Sequence, residues 1–150
     1  MSVAEQVRAA RAGAEPALIS RVPSGWVVLC RMQHLRGYCI LLADPVVPSL
    51  NDLNAQQRIS YLGDMTIVGD ALLEVTGARR INYAIMGNAD HVLHAHIVPR
   101  YLTEPDEFRF NVPWSYPQEF MDSQMFDAER DKPLMCELYD AIQKRLVNGN

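Results

Sequence analysis

Between positions 55 and 75 the chain carries apolar residues at helical spacing: Ile59, Leu62, Met65, Leu72 and Val75, with Val68 or Gly69 between. That spacing predicts one face of an α-helix. Asn51 or Asn54 can cap its start, and Gly77 stands where a left-handed residue ends helices. At about 20 residues the helix would be ~30 Å long, enough to cover a sheet. Strand-like runs flank it. Residues 26–31 and 38–43 are rich in aromatic and β-branched side chains and are joined by a polar turn, which predicts an antiparallel hairpin. Residues 80–86 predict another strand, with Ile81, Tyr83 and Ile85 on one face. The turn Gly87-Asn88-Ala89-Asp90 then returns the chain antiparallel. Strand–strand–helix–strand–strand is an α+β plan, with the long helix on one face of an antiparallel sheet.

The ends of the chain add less. Residues 2–12 predict a short helix capped by Ser2 and stopped by Gly13, and residues 17–22 a short strand or irregular segment, giving a sheet of about five strands. From 103 to 127, Pro105, Pro113 and Pro117 break any period, while Phe108, Trp114, Tyr116 and Phe120 bring large apolar area. That composition predicts a loop packed on its own domain, not a disordered linker. Residues 131–146 predict a C-terminal helix with Pro133 near its start and Leu134, Leu138 and Ile142 buried. A length of 150 residues predicts one domain, with a core over about 22–101 and an aromatic extension plus helix over 102–150.

The strand after the turn carries the chemistry. His94-Ala95-His96-Ile97-Val98-Pro99-Arg100 places two imidazoles two residues apart in an apolar run. In a strand, His94, His96 and Val98 share one face, and Leu93, Ala95 and Ile97 share the other. Two adjacent imidazoles suit work on an anion: one attacks as a neutral nucleophile, the other donates to an oxygen of the same phosphate. Spacing alone leaves catalysis, metal ligation and structure all open. His-x-His is also a zinc half-site, which His91 would complete only by a turn of the backbone. Arg100 reads as a solvated side chain after the strand, and His34 and Arg36 as exposed turn residues.

The run His94 to Arg100 resembles the signature of the histidine triad family, alternating histidines with apolar residues and ending in Pro-Arg. Anchored on Pro99-Arg100, the middle histidine falls on His94, the last on His96, and the first position on Val92. The resemblance extends upstream. Gly37-Tyr38-Cys39-Ile40 looks like the family's Gly-His strand, and Ser49-Leu50-Asn51-Asp52-Leu53 like its Ser-Leu-x-Asp-Leu helix entry. It covers about half the chain, residues 26–101. It implies a nucleotide hydrolase or nucleotidyl transferase acting at the α-phosphate through a nucleotidyl-histidine intermediate, without a cofactor. On that reading His94 is the nucleophile and His96 holds a phosphate oxygen. The Val92 carbonyl orients His94, and Asn88 lies where an amide side chain meets the phosphate. Apart from the resemblance, Trp114 and Tyr116, set between Pro113 and Pro117, have the rigidity and aromatic area to border a nucleotide pocket. Many members of the family carry an Asn that grips the ribose at the end of the strand matched by residues 26–31, and here that end is Cys30-Arg31. The alternatives are a non-catalytic nucleotide- or partner-binding module on the same fold, and a zinc protein using His91, His94 and His96.

Charge and cysteines narrow the setting. The net charge of −4 speaks against a general nucleic-acid binder, though not against a small phosphate ligand. Cys30, Cys39 and Cys136 show no Cys-x-x-Cys spacing, and no signal-like or membrane-spanning run is present, so a reducing cytoplasm is the expected location. The family resemblance adds a homodimer as the expected assembly.

Overall fold

The computed structural model describes residues 1–149. Helix α1 (Val3–Arg11) leads into strands β1 (Leu18–Val22), β2 (Gly25–Leu29) and β3 (Cys39–Ala43). Helix α2 (Ala55–Thr76) precedes β4 (Arg80–Ala84) and β5 (His94–Arg100). Short helices α3 (Asp106–Arg109) and α4 (Gln118–Ser123) cross to the C-terminal helix α5 (Ala128–Val147). The five strands form one antiparallel sheet in the order β1-β2-β3-β5-β4. This is the α+β plan that the sequence predicts. The segment at 17–22 is a true strand, and the loop at 103–127 contains helical turns.

Local rules explain the ends of α2. Asn54 accepts from the Gln57 amide and the Gln57 side chain accepts from the Asn54 amide, a capping box. Gly77 closes the helix at φ +68°, where a side chain would be strained. The buried stripe differs from the predicted one in the first half of the helix. Ile59 and Leu62 are 66% and 45% exposed, while Tyr61 and Asp64 are buried. Two polar anchors set that rotation. The Tyr61 hydroxyl donates to the Leu41 carbonyl at 2.8 Å, and Asp64 accepts from the Ser24 amide at 2.9 Å and the Ser24 hydroxyl at 2.6 Å. Apolar spacing alone cannot register a buried tyrosine or a carboxylate that satisfies a turn.

Helix α2 lies on β5 and β4, and α5 packs on α2 and β1. Gly69 permits the close approach of β4: a Cβ there would stand 2.0 Å from the Tyr83 hydroxyl. Leu41, Ala95 and Ile97 are fully buried beneath the helices. Because side chains alternate, the cross-strand partners Ile40 and His96, and Leu42 and His94, face the other side. Helix α1 packs against β3, and Arg11 pairs with Asp44 just past the end of that strand. Among the described residues no helix is long and apolar enough to cross a membrane.

Arg100 is a correction to the sequence reading. It is 6% exposed. Its guanidinium binds both oxygens of Glu104 at 3.0–3.3 Å, the Asn82 side chain at 2.8 Å, and the carbonyls of Asn111 at 2.7 Å and Phe108 at 2.8 Å. Tyr116 donates to Glu104 at 2.6 Å. Burial raises the Glu104 carboxyl, but the hydrogen bonds of Arg100, Tyr116 and the Tyr101 amide outweigh it and hold it below the usual range. A planar five-donor group can bind a carboxylate and several carbonyls at once. That is how the extension is fastened to the end of β5.

Candidate active site

His94 and His96 stand side by side on the sheet face away from α2, ring centroids 5.1 Å apart and planes at 70°. His94 Nδ1 lies 2.6 Å from the Val92 carbonyl oxygen. A carbonyl only accepts, so Nδ1 carries the proton, and in the neutral ring Nε2 is left with its lone pair free. Asp90 positions that carbonyl. One of its oxygens accepts from the Val92 amide at 3.1 Å and the other from the Val3 amide at 2.7 Å, so the turn before β5 is pinned to the start of α1. The sequence marks Asp90 only as a turn residue; its contact with Val3 spans 87 positions.

His96 is held differently. Its Nδ1 lies 2.7 Å from the Tyr38 hydroxyl, and Trp114 Nε1 donates to the same hydroxyl at 3.3 Å. The Trp114 ring meets the His96 ring edge-on, with centroids 5.4 Å apart. Tyr38 is fully buried. Burial, and then the neighbouring His94, push the His96 pKa down to about 4, so the ring is neutral near pH 7. Tyr38 is the site residue the sequence reading passed over. The available signal was a hydroxyl in an apolar strand, where the family pattern has histidine.

The depressed His96 pKa has a measurable consequence for stability. Between the ordinary value of 6.5 and about 4 the unfolded chain binds a proton that the folded site refuses. Stability from this group is therefore full above pH 6.5 and is lost as pH falls towards 4. The loss is expected to be on the order of 2 kcal/mol after discounting for partial exposure. Thermal midpoints measured between pH 4 and 7 should fall less steeply for His96→Gln than for the wild type. Parallel curves would contradict this.

The remaining candidates are spread out. Asn88 is exposed in the turn, its carbonyl accepting from His91 Nε2 at 3.2 Å. His91 is also exposed, and among the described residues no three His, Cys, Asp or Glu side chains are placed to hold a metal. The zinc reading on His91, His94 and His96 is thus not supported by their placement. His34 is half-buried, unlike the exposed turn residue predicted, and donates through Nε2 to the Pro113 carbonyl at 2.9 Å. Arg36 is exposed. Trp114 also walls a cleft of about 370 Å³ with Asn82, Ala84 and Val98, beside His96 on the sheet. A cleft of about 780 Å³ is lined by His34, Tyr101, Phe108, Tyr116 and Phe120 and includes neither catalytic candidate.

Solved structures carry the same arrangement of elements. A histidine triad protein from Marinobacter aquaeolei VT8 matches with a TM-score of 0.71 at 17% identity, over 93% of this chain and 94% of that one. Another from Bradyrhizobium japonicum matches with a TM-score of 0.63 at 22% identity, over 83% and 89%. A hypothetical histidine triad nucleotide-binding protein from Sulfolobus tokodaii strain7 matches with a TM-score of 0.71 at 12% identity, over 94% and 93%. No family model matches the sequence, and no curated protein matches it. The chain has the fold of the histidine triad proteins.

Proposed function

We propose that this protein is a nucleotide hydrolase or nucleotidyl transferase that works through a nucleotidyl-histidine intermediate. The observation that carries the reading is the Val92 carbonyl 2.6 Å from His94 Nδ1, which leaves Nε2 bare beside a second imidazole. His94 Nε2 attacks the α-phosphorus, an N–P bond forms, and the P–O or P–N bond to the leaving group breaks. His96 donates to an oxygen of the same phosphate as charge develops there. Water or another acceptor then takes the nucleotidyl group from His94. Trp114 borders the substrate, and Asn88 meets the phosphate from the turn. The position of Val92 at the first triad site leaves the mechanism intact, because the orienting group is a backbone carbonyl.

The test is a panel of dinucleoside polyphosphates, nucleoside phosphoramidates and nucleotide sugars. Mass spectrometry after an alkaline denaturing quench, which preserves the N–P bond, should find the adduct on His94. A second reading, a non-catalytic nucleotide- or partner-binding module, is favoured by one observation. The strand end that matches the family's ribose-gripping Asn is Cys30-Arg31, with no amide side chain, and Cys30 is buried in a cluster with Tyr38, Tyr116 and Met121. Saturable nucleotide binding with no turnover or adduct across the panel would select it.

The proposed assembly is a two-fold homodimer in a reducing cytoplasm. Strand β4 is an edge of the sheet, and Tyr83 on it and Met86 just beyond it are exposed. Ile59 and Leu62 add exposed apolar area on α2. Open edges and apolar stripes of this kind call for cover. Light scattering at micromolar concentration should give twice the 16.9 kDa chain mass. The chain mass alone would contradict the proposal.

A further inference from the structure

The two site histidines face opposite kinds of hydrogen-bonding partner. His94 Nδ1 faces an acceptor, and His96 Nδ1 faces a hydroxyl. The hydroxyl's direction can be settled by counting protons. Tyr38 Oη receives the Trp114 Nε1–H, because indole nitrogen only donates. The oxygen keeps one proton to give. The groups in reach are His96 Nδ1 at 2.7 Å and the Cys30 thiol, a weak acceptor. Burial pushes the Tyr38 phenol far above its ordinary value, so the proton stays on the tyrosine. Donation to His96 gives every group a partner. The reverse, His96 Nδ1–H donating to Tyr38, would leave the phenol proton with only the thiol.

Resting on the reading above, we propose that Tyr38 and Trp114 are positioning residues. The chain Trp114 Nε1–H to Tyr38 O–H to His96 Nδ1 locks His96 as the Nε2–H tautomer, so that its remaining N–H is aimed at the substrate phosphate. The neighbouring imidazoles are thereby held in opposite tautomers, one bare at Nε2 and one protonated there. A neutral donor is ready before substrate binds and does not depend on protonation of a buried ring. The aromatic extension then has a chemical task. It delivers the indole N–H to the phenol, and the edge-on contact of Trp114 limits rotation of the His96 ring.

The test pairs kinetics with nitrogen-15 spectra of histidine-labelled protein, with His96 assigned by loss of its signals in His96→Gln. In the wild type, His96 should show protonated Nε2 and bare Nδ1, and His94 the reverse. Tyr38→Phe keeps the ring and removes the donor. It should mix the His96 tautomers and lower kcat roughly tenfold with KM changed less than threefold. Trp114→Phe should shift both in the same direction, by less. Tyr61→Phe, which removes a different buried hydroxyl, should lower stability and leave the tautomers and kcat unchanged. His96 protonated at Nδ1 in the wild type would overturn the proposal, as would an unchanged tautomer and kcat in Tyr38→Phe. If the tautomers behave as stated but no substrate turns over, the locking stands and the catalytic reading of the site falls.

Discussion

Replacing His94 with alanine should lower turnover at least ~10³-fold and abolish the covalent adduct, the scale expected when a nucleophile is deleted. His96→Ala should cost ~10²-fold, because it removes one donor to developing charge and leaves the nucleophile in place. Val92→His should change the rate by less than about tenfold, since the carbonyl that holds His94 Nδ1 is there whatever the side chain. The three variants together separate backbone orientation from side-chain chemistry. Equal losses in all three would show that the side chain at 92 does more than occupy space. A His94→Ala variant that still turns over at near wild-type rate would remove the nucleophile from the mechanism.

Arg100→Met should destabilise the fold by about 3–5 kcal/mol, with a fall in Tm on the order of 10 °C. The cost comes from what remains. Glu104 would stay buried with the Tyr116 hydroxyl and the Tyr101 amide as partners and no cation. The carbonyls of Phe108 and Asn111 would also lose their donor. Limited proteolysis should then cut the segment 102–127 earlier than any other site. Adding Glu104→Gln should recover part of the loss, because it removes the unpaired charge. Arg100→Lys should recover little, since a point charge cannot serve a carboxylate, an amide and two carbonyls at once. Unchanged melting of Arg100→Met would mean that the network contributes no net stability.

The sequence alone determined the long helix and its Gly77 stop, the two antiparallel hairpins that the central strands form, and the face shared by His94 and His96. Each follows from a rule of short range. Asn54 and Gly77 act on the turns beside them, and a period of two or 3.6 residues is written in adjacent side chains. Even the His94–Val92 contact is local, since it joins the first residue of β5 to one two positions earlier in the turn before it. Tertiary structure decided the rest. It turned Ile59 and Leu62 outward because Tyr61 and Asp64 found partners on β3 and at the β1–β2 turn. It buried Arg100, because the carbonyls that satisfy it arrive with the extension. It also set the state of His96, whose partners Tyr38 and Trp114 lie 76 residues apart from one another. Hydrogen-bond partners of that separation leave no period in the sequence. They exist only once the chain has closed, and they decide which polar side chains a core can hold.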